Sequence, residues 1–567
     1  MKKTQPGIYE GYSTEQYDGW ERFSEYLPMR DGVKIAIDYY IPTKNGNLAQ
    51  EALPVVWIFS PYDYRTVMAE NRWMDGTSYE EGFEEEITGF GKLMLRHGYI
   101  FAMAEVRGTG ASFGWRHSVN NYIEAMDAYE VCEWLGTQKW SNGKTGSFGY
   151  SYFGGTQLEA LRYTPPHLTA AFIGMTDYDK YDAWVRGGIL RKFGTQPDAP
   201  SVLDLGNTPV GGMDDPKAKE VLEKAARNHD FSTMQAQNMR DCPYRDSWCE
   251  ETDSYLWQTI SNSTYKEHIN RGDTLVYLYG GWRDVFRRDT FLLYRNMVNA
   301  KKVLVGPWHH MDARPGFDFD IERLRFFDYS LKGIENGIMD EPELFYHTYN
   351  HEDGWVFADS WPPENAEMKS VFLSEGESNL AFTAPEDLEK YDEYQVRYDI
   401  SENIDNDLVT IEREEKGLVY TSAQLEEDIN MTGHPILELW VSSTAEDGDF
   451  FVLLADVDED GKGRYVTDAM IRASLRTLAE PHYDYIGLPW HRGFEKDCRK
   501  LKPGRKYRLR TDFLPTSYVF KKGHRIRLII TCAIGKILFM EEPVAPTISV
   551  YRDSIHTSYV QLPVVND

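Results

Sequence analysis

The stretch Lys144–Gln157, KTGSFGYSYFGGTQ, sets Ser151 in the frame Gly149-Tyr150-Ser151-Tyr152-Phe153-Gly154-Gly155. Thr145 to Tyr150 reads as a short buried strand, and Phe153 to Arg162 as a helix. A serine at such a junction stands on a tight turn that lifts its hydroxyl out of the sheet. Small residues after it let the helix pack close. This is the logic of a nucleophile elbow. The frame departs from G-x-S-x-G in one place: Phe153 stands where the last glycine belongs, and Gly154 comes one residue late. Without partners for Ser151, the same letters describe a serine in a glycine-rich connection.

Outward from this stretch, continuous apolar runs recur. They are Pro54–Pro61 (PVVWIFSP), Gly98–Glu105 (GYIFAMAE), Ala170–Met175 (AAFIGM), Thr274–Gly281 (TLVYLYGG) and Lys302–Trp308 (KVLVGPW). Runs of this length suit strands buried on both faces. Helical patterns lie between them. Thr77–Arg96 is one, and Asn120–Gln138 is the clearest, with Ile123, Met126, Tyr129, Cys132 and Leu135 at every third position. Asn120 or Asn121 can cap that helix, with Glu124 in its first turn. Asp31-Gly32 reads as a hairpin turn. Strands alternating with helices imply an α/β fold with a mostly parallel sheet.

The alternation pauses from about Ile189 to Asn270, where the helical segment Pro216–His229 sits among loops, and this reads as an inserted helical cap. After Trp361-Pro362-Pro363 the texture becomes all-β: Val371–Leu373, Pro435–Val441, Phe450–Val457 and His524–Ile530 are separated by turns, as in a sandwich or jelly roll. The expected organisation is therefore residues 1–188 and 271–355 as the two parts of the α/β core, 189–270 as the cap, and 356–567 as the C-terminal β-domain.

At 567 residues the chain is too long for one core. Its formal net charge of −29 repels phosphate backbones and anionic lipid heads, so neither nucleic acid nor a membrane is an expected partner. The five cysteines are scattered with no CxxC, and MKKTQPGIYEGYSTEQ has no apolar run behind its lysines. Both features fit a cytoplasmic protein. The oligomeric state stays open, and a homodimer built on the broad β-domain is compatible with the sequence.

A serine hydroxyl needs a base, an orienter for that base and donors for the oxyanion. In doubly wound hydrolases the acid and the histidine follow the serine in chain order, each in a loop after a strand. Asp284 lies just beyond TLVYLYGG, in Gly280-Gly281-Trp282-Arg283-Asp284-Val285-Phe286. His310 lies just beyond KVLVGPW, in Gly306-Pro307-Trp308-His309-His310. The competing readings are an Asp284 paired with Arg283 or Arg287, and His309 as the base. For the oxyanion, the Tyr152 amide opens a helix, and the Tyr62 hydroxyl follows an earlier strand in Ser60-Pro61-Tyr62-Asp63.

These pieces resemble the family of cocaine esterase, α-amino-acid ester hydrolases and X-prolyl dipeptidyl peptidases. The likeness extends to Arg107-Gly108-Thr109-Gly110-Ala111-Ser112, Glu133-Trp134 with Trp140-Ser141-Asn142-Gly143-Lys144, Phe327-Asp328-Tyr329-Ser330-Leu331-Lys332-Gly333 and Trp361-Pro362-Pro363. The resemblance implies an α/β-hydrolase core with a helical cap and a C-terminal jelly roll. It also implies Ser151, Asp284 and His310 as the triad, and Tyr62 with the Tyr152 amide as the oxyanion hole. Phe286 and Trp184 resemble acyl-pocket positions of its esterase branch. Its amino-ester branch holds a substrate ammonium with carboxylates, for which Asp177, Asp179 and Asp182 are candidates. Arg283 before Asp284, with no acid after it, argues against such a site.

The expected activity is hydrolysis of small acyl esters or amides through an acyl-enzyme. An X-Pro dipeptidyl peptidase or α-amino-acid ester hydrolase is the alternative. A non-catalytic carbohydrate- or partner-binding protein is the third reading. The expected partner is a small ester, amide or short peptide. No cofactor is expected, and no histidine–carboxylate cluster has metal-ligand spacing. Gly108-Thr109-Gly110 misses the dinucleotide fingerprint because Gly114 falls one residue late. Asp456–Gly461 opens like a calcium loop, but its twelfth position is Thr467, so a hairpin turn is expected.

Overall fold

The computed structural model describes residues 2–62, 64–65, 83–191, 207–212, 215–229, 235–310, 316–376, 379–399, 416–534 and 544–566. Asp63, residues 77–82 of the expected helix, and residues 192–206, 213–214 and 230–234 of the expected cap lie outside them.

The large sheet begins after a short N-terminal hairpin. Its elements are β1 (Gly19–Pro28), β2 (Lys34–Lys44), β3 (Leu53–Ser60), α1 (Phe83–Arg96), β4 (Ile100–Glu105), α2 (Tyr122–Thr137), β5 (Ser141–Tyr150), α3 (Tyr152–Arg162) and β6 (Leu168–Gly174). After an insertion come β7 (Leu275–Gly281), α4 (Arg287–Asn296), β8 (Ala300–Gly306), α5 (Phe319–Lys332), β9 (Leu344–His347) and β10 (Trp355–Ala358). The spatial order is β10-β9-β8-β7-β6-β5-β3-β4-β2-β1. Strands β3 to β9 run parallel to one another, while β1, β2 and β10 pair antiparallel. Pro28 faces Lys34 across the Asp31-Gly32 turn.

Every residue of β3 and β4 is buried, which is why they carry unbroken apolar runs instead of alternating ones. Helix α2 starts where its cap predicts: the Asn121 side chain accepts the amides of Ile123 and Glu124. The strand order reverses between β3 and β5, and in open α/β sheets this switch point opens a crevice at the carboxyl ends of the strands. Tyr62 follows β3 there, and Ser151 follows β5.

Between β6 and β7 the described residues are mainly helical: Lys180–Trp184, Pro216–His229, Gln235–Asp241, Leu256–Ile260 and Lys266–Ile269, with one small hairpin pairing Trp248–Cys249 to Ser254–Tyr255. Beyond Trp361 the described residues form a nine-stranded and a four-stranded sheet. Leu439 and Val441 from the first share one core with Phe450, Val452, Leu528 and Ile530 from the second, so the two sheets form a sandwich. Asp456–Gly461 is the expected hairpin. It joins Asp449–Val457 to Gly463–Arg472, and the Asp458 carboxylate accepts the amides of Asp460 and Lys462. Within Arg107–Ser112, Gly110 makes room for a buried acid: Ala111 donates to Glu105 at 2.7 Å, and a Cβ on Gly110 would stand 2.4 Å from that carboxyl group.

Among the described residues no helix is long and apolar enough to cross a membrane, and no group of three or more His, Cys, Asp or Glu could hold a metal ion.

Candidate active site

Ser151 follows β5 directly, with φ 55° and ψ −129°, a backbone state that L-residues rarely hold outside functional turns. Its amide donates to the carbonyls of Gly174 and Met175 at 3.2 and 3.1 Å, and its carbonyl accepts Gly154 and Gly155 at 3.1 and 3.0 Å. These bonds hold the bend on both sides. The late glycine has a steric cause: a Cβ on Gly154 would stand 2.7 Å from the Gly174 carbonyl oxygen, where α3 crosses β6. Position 153 points elsewhere. The Phe153 ring is buried against Tyr150 and Tyr64, with centroids 4.9 and 5.2 Å apart.

The loops after β7 and β8 bring Asp284 and His310 together: His310 Nδ1 lies 2.5 Å from Asp284 Oδ2. The other oxygen of Asp284 accepts the Phe286 amide at 2.7 Å, which fixes the carboxylate plane. The two loops are laced by backbone bonds from Trp282 to Gly306 and from Arg283 to Trp308, at 2.9 and 3.0 Å. His310, not His309, meets the acid. Its ring packs edge-on against Tyr150 and Phe286, with centroids 6.0 and 5.7 Å away. The Ser151 hydroxyl makes no hydrogen bond among the described residues, and its chain neighbour Tyr150 is the residue that packs on the His310 ring. Resting sites of this kind often tighten only around substrate.

Tyr62 is 39% exposed, and its ring meets those of Tyr152 and Phe153 at 6.5 and 6.0 Å. Tyr152 is the first residue of α3, so its amide has no acceptor within the helix. Its phenol donates to the Glu124 carboxylate at 2.9 and 3.0 Å. Glu124 was legible only as a first-turn acid of α2; its role as the anchor of Tyr152 emerges from the packing of α2 against α3. Burial pushes the Glu124 carboxyl up to about 7, and burial beside Glu124 raises Glu159 well above the usual range.

Trp184 and Phe286 pack edge to face, 6.0 Å between centroids, and form an aromatic wall whose Phe286 end meets His310. The three aspartates considered for an ammonium are engaged internally. Asp177 holds Lys180 Nζ at 2.8 Å through both oxygens. Asp179 and Asp182 each take a nitrogen of Arg245 at 2.6 Å, and Asp182 also accepts Tyr483 and Trp490 from the C-terminal region.

The fold is that of an α/β-hydrolase with a C-terminal all-β domain, and the chain is a serine hydrolase. It belongs to the X-Pro dipeptidyl-peptidase (S15) family: residues 31–312 match that family, and residues 336–535 match the X-Pro dipeptidyl-peptidase C-terminal non-catalytic domain. A provisionally named serine esterase of Mycobacterium bovis is 30% identical over 97% of this chain and 96% of its own. The cocaine esterase of a Rhodococcus species is 25% identical over 95% of this chain and 97% of its own. A solved CocE/NonD family hydrolase from Staphylococcus aureus shares the fold with a TM-score of 0.72 at 20% identity, covering 96% of this chain and 94% of that one.

Proposed function

We propose that this chain hydrolyses small acyl esters or amides through a Ser151–His310–Asp284 triad and an acyl-enzyme. The observation that carries the reading is the 2.5 Å contact between His310 and Asp284, set beside a serine held at a strained strand-to-helix bend. With Nδ1–H donated to Asp284, the His310 Nε2 atom is the acceptor for the Ser151 proton. Ser151 then attacks the carbonyl carbon. The Tyr152 amide and the Tyr62 hydroxyl stabilise the oxyanion, and the helix dipole of α3 adds to them. His310 returns the proton to the leaving group, then activates water to release the acid. Asp284 keeps the imidazole in the useful tautomer and stabilises the imidazolium.

The acyl group lies, in this reading, along Trp184 and Phe286. Uncharged acyl groups are favoured over free amino termini because Lys180 and Arg245 already occupy the carboxylates of Asp177, Asp179 and Asp182. The test compares p-nitrophenyl acetate and butyrate with Ala-Pro-p-nitroanilide on wild type and Ser151→Ala. Ester turnover that disappears in the variant supports the reading. Preference for the Ala-Pro substrate assigns the X-Pro dipeptidyl peptidase activity instead. Turnover unchanged by Ser151→Ala removes the triad.

A further inference from the structure

The loop that carries Asp284 is bracketed by two arginines, and both reach out of the α/β core to one strand of the C-terminal sandwich, Gly463–Arg472. Arg283 Nη2 donates to the Tyr465 carbonyl at 3.0 Å, and its guanidinium lies between the rings of Tyr349 and Tyr465, 5.1 and 5.0 Å from their centroids. Arg287 spans the loop and the strand: one nitrogen donates to the Trp282 carbonyl, and the other to the Tyr465 hydroxyl at 2.7 Å. That hydroxyl donates in turn to Asp468 Oδ1 at 2.5 Å.

Asp468 has a second arginine. Arg186 Nη1 meets Asp468 Oδ2 at 2.6 Å, and Arg186 Nη2 donates to the Asp468 carbonyl at 2.5 Å. Arg186 sits two residues after Trp184, in a segment pressed flat on the same strand: a Cβ on Gly187 would stand 2.2 Å from the Met470 carbonyl oxygen. One carboxylate, 3% exposed, therefore ties together the loop of the catalytic acid and the loop of the aromatic wall. Burial alone would raise Asp468; Arg186 and Arg287 overcome it and hold the group below the usual carboxylate range.

An interface that only glued two domains would need none of this convergence. Charged groups taken out of water are costly unless their geometry is fully satisfied, and replacing such pairs by apolar contacts is often neutral for stability. Here the arginines flank Asp284 itself, and their partners lie on a strand fixed along its length by pairing with Asp449–Val457, which suits holding a catalytic geometry to a fraction of an ångström.

We infer that Tyr465 and Asp468 of the C-terminal β-domain are positioning residues for the triad, acting on Asp284 through Arg287 and on the acyl wall through Arg186. The inference rests on the triad reading above. Neither residue touches substrate. Their effect passes through the orientation of Asp284 toward His310 and the placement of Trp184.

The experiment uses the full-length chain with Tyr465→Phe, which removes one hydroxyl and leaves the ring, and with Asp468→Asn. Active sites are counted by fluorophosphonate labelling, and kcat per labelled site, KM and the pH–rate profile are measured with p-nitrophenyl butyrate. Tyr465→Phe is expected to lower kcat per site about fivefold with KM within about twofold, and to move the acidic limb of the profile to lower pH, because a looser Asp284 stabilises the imidazolium less. Asp468→Asn is expected to lower kcat further and to raise KM as well. The inference is overturned if Tyr465→Phe keeps wild-type kcat per site and an unmoved acidic limb, whatever happens to its melting temperature. Wild-type protein that never labels at Ser151 overturns the triad reading and the inference with it, so the two failures are distinct.

Discussion

The ring of Tyr150 lies edge-on to the ring of His310, with centroids 6.0 Å apart, so the residue before Ser151 also packs on the proposed base. Tyr150 is buried at the end of β5, where its ring packs on both Phe153 and His310. Tyr150→Ala is expected to lower kcat/KM about 10- to 100-fold, since small misplacements of reacting groups cost this much. Steady-state ester kinetics check it. Wild-type kcat/KM in a folded variant would mean the contact supports nothing.

Gly154→Ala tests the steric account of the elbow. Its methyl group would meet the Gly174 carbonyl at 2.7 Å, a backbone atom that cannot swing aside. The expected loss of stability is about 1–3 kcal/mol, with reduced turnover because α3 is pushed off β6. Chemical denaturation gives the first value and ester hydrolysis the second.

Phe286→Ala should open the wall beside His310. Removing a ring from the acyl side is expected to shift relative kcat/KM toward longer acyl chains by about tenfold. The comparison is p-nitrophenyl acetate against hexanoate. An unchanged ratio would place the acyl group elsewhere.

His434 is expected to govern part of the acid sensitivity. Its Nε2 accepts the Trp361 indole N–H at 3.2 Å, and burial pushes its pKa down to about 3. The folded value lies below the unfolded one near 6.5, so its contribution to stability is complete above pH 6.5 and is lost as pH falls toward 3. By pH 5 the loss amounts to about 2 kcal/mol. Glu105, Glu124 and Asp289, raised to about 7, act in the opposite sense: their contribution is complete below the usual carboxylate range and is lost as pH rises through 7. His434→Gln isolates the histidine. The stability gap between wild type and variant should narrow by about 2 kcal/mol between pH 7 and pH 5. A gap independent of pH would contradict the assignment.

The buried strands, and the chain order of Ser151, Asp284 and His310 behind them, were legible because each depended on local letters. PVVWIFSP and GYIFAMAE suited two-sided buried strands, and Ser151, Asp284 and His310 each follow such a run. Asn120 or Asn121 marked the start of α2 for the same reason, and the structure uses Asn121. What stayed hidden depended on distance in the chain. Glu124 showed itself as a first-turn acid, yet its partner Tyr152 is 28 residues away. Asp468 sits inside GRYVTDAMIR, where a charge would argue against a buried strand, and only Arg186, 282 residues earlier, together with Arg287 accounts for it. The aspartates at 177, 179 and 182 were visible as a cluster, but Arg245 and Lys180 decide what they do.

The most direct measurement is intact-mass analysis after treatment with a fluorophosphonate, followed by peptide mapping. A single adduct on Ser151 is predicted, absent in Ser151→Ala and formed at least about a thousandfold more slowly in folded His310→Ala. An adduct on another residue, or labelling as fast without His310 as with it, would contradict the assignment of these residues.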